Sequence, residues 1–319
     1  MTSRTSRKSA TSATQKSAKK AAKKSAKKAA KETAKKAAKQ TRSGGGAELS
    51  VFIYGGGKVG RGLHRALRAA GIAATLRPAR QGLPRRRIEA DLVIVALRDR
   101  DIGPCAEALR DRGLVGHRRA AVVHCAGALG PEVLAPVRGE RVSIAQMHPM
   151  ISFASTDVTP DLTRGQMHVD GDPHAVRLSR ALGRRLGMSP RTVPGLDRVA
   201  YHAAAGLVAN GAAALAAAGV RLLERAGVDR VTAAAMLGPL LRTVAENVEQ
   251  LGLPAALTGP VRRGDAAGVG KHLETLGRLA PDLVPLYLAA GRVQLPLARA
   301  LGEATPEAFE AIEAALRDR

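Results

Sequence analysis

Three glycines, two histidines, an asparagine and a run of arginines hold most of the chemistry legible in this chain. Gly55, Gly57 and Gly60 stand in G-x-G-x-x-G spacing. A dinucleotide diphosphate needs that pattern: Gly55 permits a tight turn, Gly57 lets the backbone approach the phosphates, and Gly60 lets a helix lie close on a strand. Unpaired N–H groups around Lys58 and Val59, where that helix would begin, attract the anion. Beyond the next strand, NAD-binding enzymes place an acid on the ribose hydroxyl, but no acid occurs here between Gly60 and Glu89. Arg77 and Arg80 occupy that zone instead, and guanidinium groups suit a 2′-phosphate, so NADP(H) is the expected cofactor.

A second group of residues could move protons. In the stretch YHAAAGLVAN, His202, Gly206 and Asn210 fall at i, i+4 and i+8, on one face of a helix. A histidine suits protonation of an alkoxide formed by hydride transfer. His202 is therefore the expected acid/base, with Asn210 orienting a substrate carbonyl or a nicotinamide amide. His148, expected to begin the loop after its strand, is a second acid/base candidate, and Ser152 a substrate contact. In the turn Thr258-Gly-Pro-Val-Arg-Arg-Gly-Asp265, Thr258 and Arg262 could hold an anionic substrate; equally, the turn could simply join helices, with Asp265 as the next N-cap. His168, Asp170, Asp172 and His174 could suggest a metal cluster, but the cap reading already accounts for Asp172, so no metal site is expected from them.

The elements that must position these groups follow from apolar patterning. Leu49 to Tyr54 reads as a buried strand, and a helix from Lys58 to the closing Gly71 shows apolar residues at helical intervals. Further strands are expected at Ile72–Arg77, Asp91–Leu97, Ala120–His124, Arg141–Met147 and Gln166–Val169. Asp99 or Asp101 would cap the helix after the third strand, and Asp172, with Pro173 at N1, the helix running to about Leu186. Leu97 and His124, at strand ends, complete the expected cofactor contacts. From Leu196 onward helices replace strands, beginning with one from about Asp197 to Ala226, bent near its glycines. Its apolar part, Ala203 to Val220, is mostly Ala and Gly with Asn210 inside it, which suits a buried helix packed through small residues better than a membrane span.

Composition divides the chain near residue 46. Residues 1–43 hold 15 Lys and Arg against one acid, Glu32, while the remainder carries 36 basic and 26 acidic residues. Residues 17–40 repeat with period eight as SAKKAAKK, SAKKAAKE and TAKKAAKQ. Nothing there is more apolar than Ala, so the segment should be largely disordered in solution. It resembles the Lys/Ala-rich tails of linker histones and bacterial histone-like proteins, and without aromatic residues any binding to nucleic acid would be phosphate-driven and sequence-blind. Two cysteines, Cys105 and Cys125, without a CxxC or a signal peptide, suit a reducing compartment. The expected location is cytoplasmic, with the nucleoid as an option through the tail.

Five matches carry a wider resemblance: IYGGGKVGRGL at 53–63, VALRDRDI at 95–102, VHCAGALG at 123–130, MHPMISFA at 147–154, and YHAAAGLVAN with ALTGPVRRGD at 201–210 and 256–265. The body resembles an uncharacterised bacterial family that joins a Rossmann-like NADP-binding domain to a helical domain of the 6-phosphogluconate dehydrogenase C-terminal type. The wider superfamily includes ketopantoate reductase, pyrroline-5-carboxylate reductase, hydroxyisobutyrate dehydrogenase and deazaflavin-dependent NADP reductase. The resemblance implies an α/β, Rossmann-like doubly wound sheet at 47–195, an all-α substrate and dimerisation domain at 196–319, and a homodimer built through the latter. Several hydroxyacid dehydrogenases of that superfamily use a Lys four residues before an Asn on the first long helix; here Gly206 takes that place. The expected activity is hydride transfer between NADP(H) and a small carbonyl or imine compound. The alternative is a nonenzymatic NADP(H) sensor tethered to nucleic acid by its tail.

Overall fold

The computed structural model describes residues 49–317, so the expectations for the tail, 1–46, lie outside the described residues. Four strands with largely buried side chains form the middle of the sheet: β1 (Val51–Tyr54), β3 (Leu92–Val95), β4 (Ala120–His124) and β5 (Val142–Met150). Side chains alternate between faces, and both faces are covered, which is why these strands read as continuous apolar runs. Leu92 and Ile94 join one core with Leu63, Leu67 and Leu182, whereas Val93 and Val95 join another with Ile102, Leu109 and Leu134. Helices α1 (Lys58–Ala69) and α3 (Pro173–Arg185) build the first face; α2 (Asp99–Asp111) and the 3-10 segment Pro131–Val137 build the second.

Strands β2 (Ala74–Arg77), β6 (Gln166–Gly171) and β7 (Ser189–Arg191) complete a seven-stranded sheet in the order β2-β1-β3-β4-β5-β6-β7. All pairings are parallel except β5 with β6, which run antiparallel. The chain leaves β1 for β2 on one side and returns to β3 on the other. This reversal opens a crevice at the carboxyl ends of β1 and β3, the place where doubly wound sheets accept ligands.

Several sequence expectations shift. β5 runs to Met150, so His148 lies within a strand, opposite His168 of β6, and not in a following loop. The strand persists because β6 supplies a hydrogen-bonding partner through Gln166. β7, three residues long, carries too little pattern to announce itself. Arg98 takes the N-cap position of α2, and Asp99 and Asp101 lie inside its first turn. Asp172 stands at the N-cap of α3, but its carboxylate accepts from the Ile144 N–H at 3.0 Å and from Arg138 at 2.6 Å, tying the strand instead of capping the helix.

Helices follow: α4 (Arg198–Arg225), α5 (Arg230–Leu251), α6 (Ala266–Leu279), α7 (Val284–Leu301) and α8 (Pro306–Ala315). The Asp197 carboxylate accepts from the N–H groups of Val199 and Ala200, a cap worth about 1 kcal/mol. Val261, Val269, Leu288, Leu295, Phe309 and Ile312 make the core of α6 to α8. The long helix overturns its expectation: α4 is one continuous element with no buried residue, and only Ala233 of α5 is buried. Within one chain α4 packs on α5 and leaves Leu207 78% and Val208 72% exposed.

Candidate nucleotide and proton-transfer site

The glycine turn is built as a cradle. Gly55 follows β1 with φ +126°, donates to the Arg77 carbonyl at 2.9 Å, and lies so close to β3 that a β-carbon would sit 2.1 Å from the Ala96 oxygen. A β-carbon on Gly60 would sit 1.9 Å from the Gly55 oxygen, so α1 can approach β1 only with glycine there. Gly57, by contrast, has nothing within 4 Å of its would-be β-carbon, which leaves free space above the turn. Gly57 is the N-cap of α1 and offers no side-chain cap, and the first turn contains no acid. Those N–H groups thus remain available to a ligand acceptor, beside exposed Lys58 and half-buried Val59. Arg61 braces the turn by donating from Nε to the Gly56 carbonyl at 2.9 Å.

At the end of β2, Arg77 donates to the carbonyls of Gly82 (2.6 Å) and Gln81 (2.8 Å), holding the 3-10 turn Ala79–Gln81 against the strand. Arg80 rides that turn, exposed. Leu97, half-buried after β3, packs on the second core. His124 departs from its expected role as a cofactor contact. Its Nδ1 accepts from the Ala126 N–H at 3.2 Å and its Nε2 bonds the Gly130 carbonyl at 3.0 Å, so both nitrogens are occupied inside the loop after β4. Burial holds its pKa below the usual histidine value.

The fold brings His148 and His202 together at the carboxyl end of β4. Their rings meet edge-on, centroids 6.0 Å apart. Both converge on Gly127: a β-carbon there would lie 2.4 Å from His202 Nδ1 and 3.0 Å from His148 Nε2. Tyr201, in the first turn of α4, bonds His148 Nδ1 at 2.9 Å. Below this corner, buried Gln146 donates to the carbonyls of Ala126 (2.8 Å) and Gly127 (3.2 Å) and accepts from His168 Nδ1 at 2.8 Å. These bonds satisfy polar groups that burial would otherwise penalise. Burial, reinforced by the neighbouring His202, His168 and His124, pushes His148 down to about 4. At neutral pH His148 is therefore uncharged.

The other expected site residues are exposed or paired elsewhere. Asn210 is exposed two turns beyond His202, about 12 Å along α4. Ser152 and Thr258 are also exposed. Arg262 is no free anion anchor: it pairs with Glu303 at 2.5 Å and donates to the carbonyls of Ala255 (3.0 Å) and Leu257 (2.6 Å). Asp265 caps α6 by accepting from the Gly268 N–H at 2.8 Å, so this turn follows its interhelical reading. His168 is bonded to Gln146, Asp170 to Arg198, Asp172 to Arg138 and His174 to Arg177, each with a separate partner.

Tyr201, Gln146 and Gly127 are the residues that sequence reasoning missed. Tyr201 is one of three tyrosines in the chain and adjoins His202, a signal that could have been used. Gln146 carried none, since its role depends on the pairing of β5 with β4.

The sequence family described as Domain of unknown function (DUF2520) matches residues 166–293, from β6 into α7. No curated protein matches the chain by sequence. Among solved structures, protein TM1727 of Thermotoga maritima is 21% identical with TM-score 0.58, over 78% of this chain and 98% of that one. A Bacteroides fragilis protein described as a candidate NADP oxidoreductase is 22% identical with TM-score 0.59, over 77% and 98%. Plasmodium falciparum pyrroline carboxylate reductase, solved with NADP bound, is 12% identical with TM-score 0.54, over 85% and 100%. The chain shares with these proteins a Rossmann-like α/β fold completed by a helical C-terminal part.

Proposed function

We propose that this protein is an NADP(H)-dependent oxidoreductase acting on a small carbonyl or imine compound. The observation that carries the reading is the convergence of His148 and His202 on Gly127 at the carboxyl edge of the same sheet whose β1–α1 turn forms the glycine cradle. The residues fit the cofactor: free space over Gly57, an uncapped α1, and Arg77 and Arg80 where a 2′-phosphate would want cations. The fold shared with the NADP-bound Plasmodium reductase agrees with this. A bound NADPH would supply the hydride. His202 would exchange the proton, and neutral His148 would hold the substrate heteroatom. NADPH consumption across ketoacids, aldehydes and cyclic imines tests the activity; loss of none of it in both His202→Ala and His148→Ala would remove these residues from the reaction.

Gly206, standing where several hydroxyacid dehydrogenases carry a lysine, favours a second reading in which the same site binds NADP(H) and responds without turnover. Calorimetry with NADPH, combined with an inactive substrate panel, would select it.

The homodimer through the helical part draws support from α4 and α5, whose Leu207, Val208, Val231, Leu240 and Leu251 are exposed in one chain. By length and composition α4 could also cross a bilayer. It carries His202 and Asn210, however, and α5 carries Arg242, Glu246 and Glu249, which hydrocarbon would accommodate poorly. A second copy of the chain is the fitting cover. Residues 1–43 would add sequence-blind attraction to nucleic acid, and the two free cysteines fit a cytoplasmic protein, drawn to the nucleoid if the tail engages DNA.

A further inference from the structure

We propose that Tyr201 is a positioning residue for His148: its hydroxyl donates to Nδ1, so the neutral ring carries its proton on Nε2 and presents that N–H at the Gly127 corner. The proposal deepens the oxidoreductase reading and rests on it for its kinetic part only.

The geometry supplies the argument. Tyr201 Oη lies 2.9 Å from His148 Nδ1, with the two rings edge-on at 5.4 Å and 80°. A neutral imidazole has one donor nitrogen and one acceptor, and what bonds one decides the state of the other. Among the described residues, Nδ1 of His148 is the one hydrogen-bond partner of the Tyr201 hydroxyl. If Nδ1 carried the hydrogen, it would donate to the phenol oxygen and the phenolic hydrogen would have no protein acceptor. With the phenol donating, every group is used: Nδ1 accepts and Nε2–H faces the corner, 3.0 Å from the point where a Gly127 side chain would begin. Burial supports the arrangement, because it raises the Tyr201 pKa and keeps the phenol protonated. The His148 ring is kept neutral by burial and by His202, His168 and His124 around it.

Two imidazoles thereby acquire separate tasks at one point. His148, locked between β5 and α4, offers a fixed N–H to a substrate oxygen or nitrogen and keeps its proton throughout. His202, exposed on the helix, is the ring free to exchange one. Gly127 is required to be glycine because any side chain would occupy the space both rings address.

The test is nitrogen NMR on the full chain labelled with 15N-histidine, the His148 signals assigned by comparison with His148→Gln. The expected result at neutral pH is a neutral ring protonated on Nε2, converting in Tyr201→Phe to a mixture of both tautomers. With an accepted substrate, Tyr201→Phe should lower kcat about tenfold with the KM for NADPH unchanged, the scale of one lost orienting hydrogen bond. His148→Gln, whose amide can mimic an Nε2 donor, should retain more turnover than His148→Ala. An Nδ1-protonated ring in the wild type, or an unchanged tautomer in Tyr201→Phe, would overturn the proposal. The NMR readout needs no turnover, so an inactive substrate panel would sink the oxidoreductase reading while leaving this one to be decided separately.

Discussion

Gly60 faces the carbonyl of Gly55 at a separation that leaves no room for a side chain, a β-carbon there falling 1.9 Å from that oxygen. The contact is backbone against backbone, so a larger residue at 60 must push α1 away from β1. Gly60→Ala should lower stability by about 1–3 kcal/mol, the usual scale of overpacking, and abolish NADPH binding. Gly57→Ala should melt like the wild type, since its side chain meets nothing, yet weaken NADPH because the added methyl enters the phosphate space. Thermal unfolding with calorimetry on both variants separates the two roles; equal loss of stability in each would contradict them.

Arg80 and Arg77 should be distinguishable in the same way. Arg80→Glu places a carboxylate where the 2′-phosphate is expected, and NADPH affinity should drop about 10- to 100-fold while NADH affinity holds, as befits one charged hydrogen bond. Arg77→Ala should affect both cofactors and stability, because Arg77 also holds the carbonyls of Gln81 and Gly82. Titrations with the two dinucleotides give the ratio directly.

Protonation of the histidine corner should oppose folding. The folded pKa of His148, about 4, lies below the ordinary value of 6.5. Between these values the unfolded chain binds more protons than the folded one, so stability rises with pH. It is complete above about pH 6.5 and lost as pH falls from there through the folded pKa, with His148 contributing on the order of 3 kcal/mol to the change. Urea unfolding at pH 7 and pH 5 should show a smaller difference in His148→Gln than in the wild type. An identical pH dependence in the two proteins would exclude His148 as the source.

Covering of α4 and α5 by a second copy predicts a dimer in sedimentation at micromolar concentration. Leu207→Asp together with Leu240→Asp should yield monomer, with the β1–α1 turn intact and NADPH still bound. A monomeric wild type would end the idea.

Deletion of residues 1–44 should abolish binding to duplex DNA, and in the full chain that binding should weaken steeply between 50 and 200 mM salt, an interval over which about six or more phosphate contacts lose roughly a thousandfold in affinity. Retention of DNA affinity by the shortened chain would assign it to the arginine-rich body instead.

What the amino-acid order determined by itself was local. Gly55, Gly57 and Gly60 encode a turn through backbone freedom alone, and continuous apolar runs announce strands covered on both faces. Caps such as Asp197 and Asp265 act within three residues of their own position, so they too were readable. Tertiary structure decided everything that depends on distant partners. Arg262 looked like an anion anchor until Glu303, 41 residues away, occupied it. Asp172 looked like a cap until β5 and Arg138 took its carboxylate. Tyr201 and His148 are 53 residues apart and become neighbours only because β5 continues through its pairing with β6 while Arg198 ties the start of α4 to Asp170. The long helix α4 shows the same division: its helicity is written in Ala, Leu and a good cap, whereas what covers it depends on surfaces outside its own segment. Short-range geometry is carried by residue type; the environment of a side chain is set by what the rest of the fold packs against it.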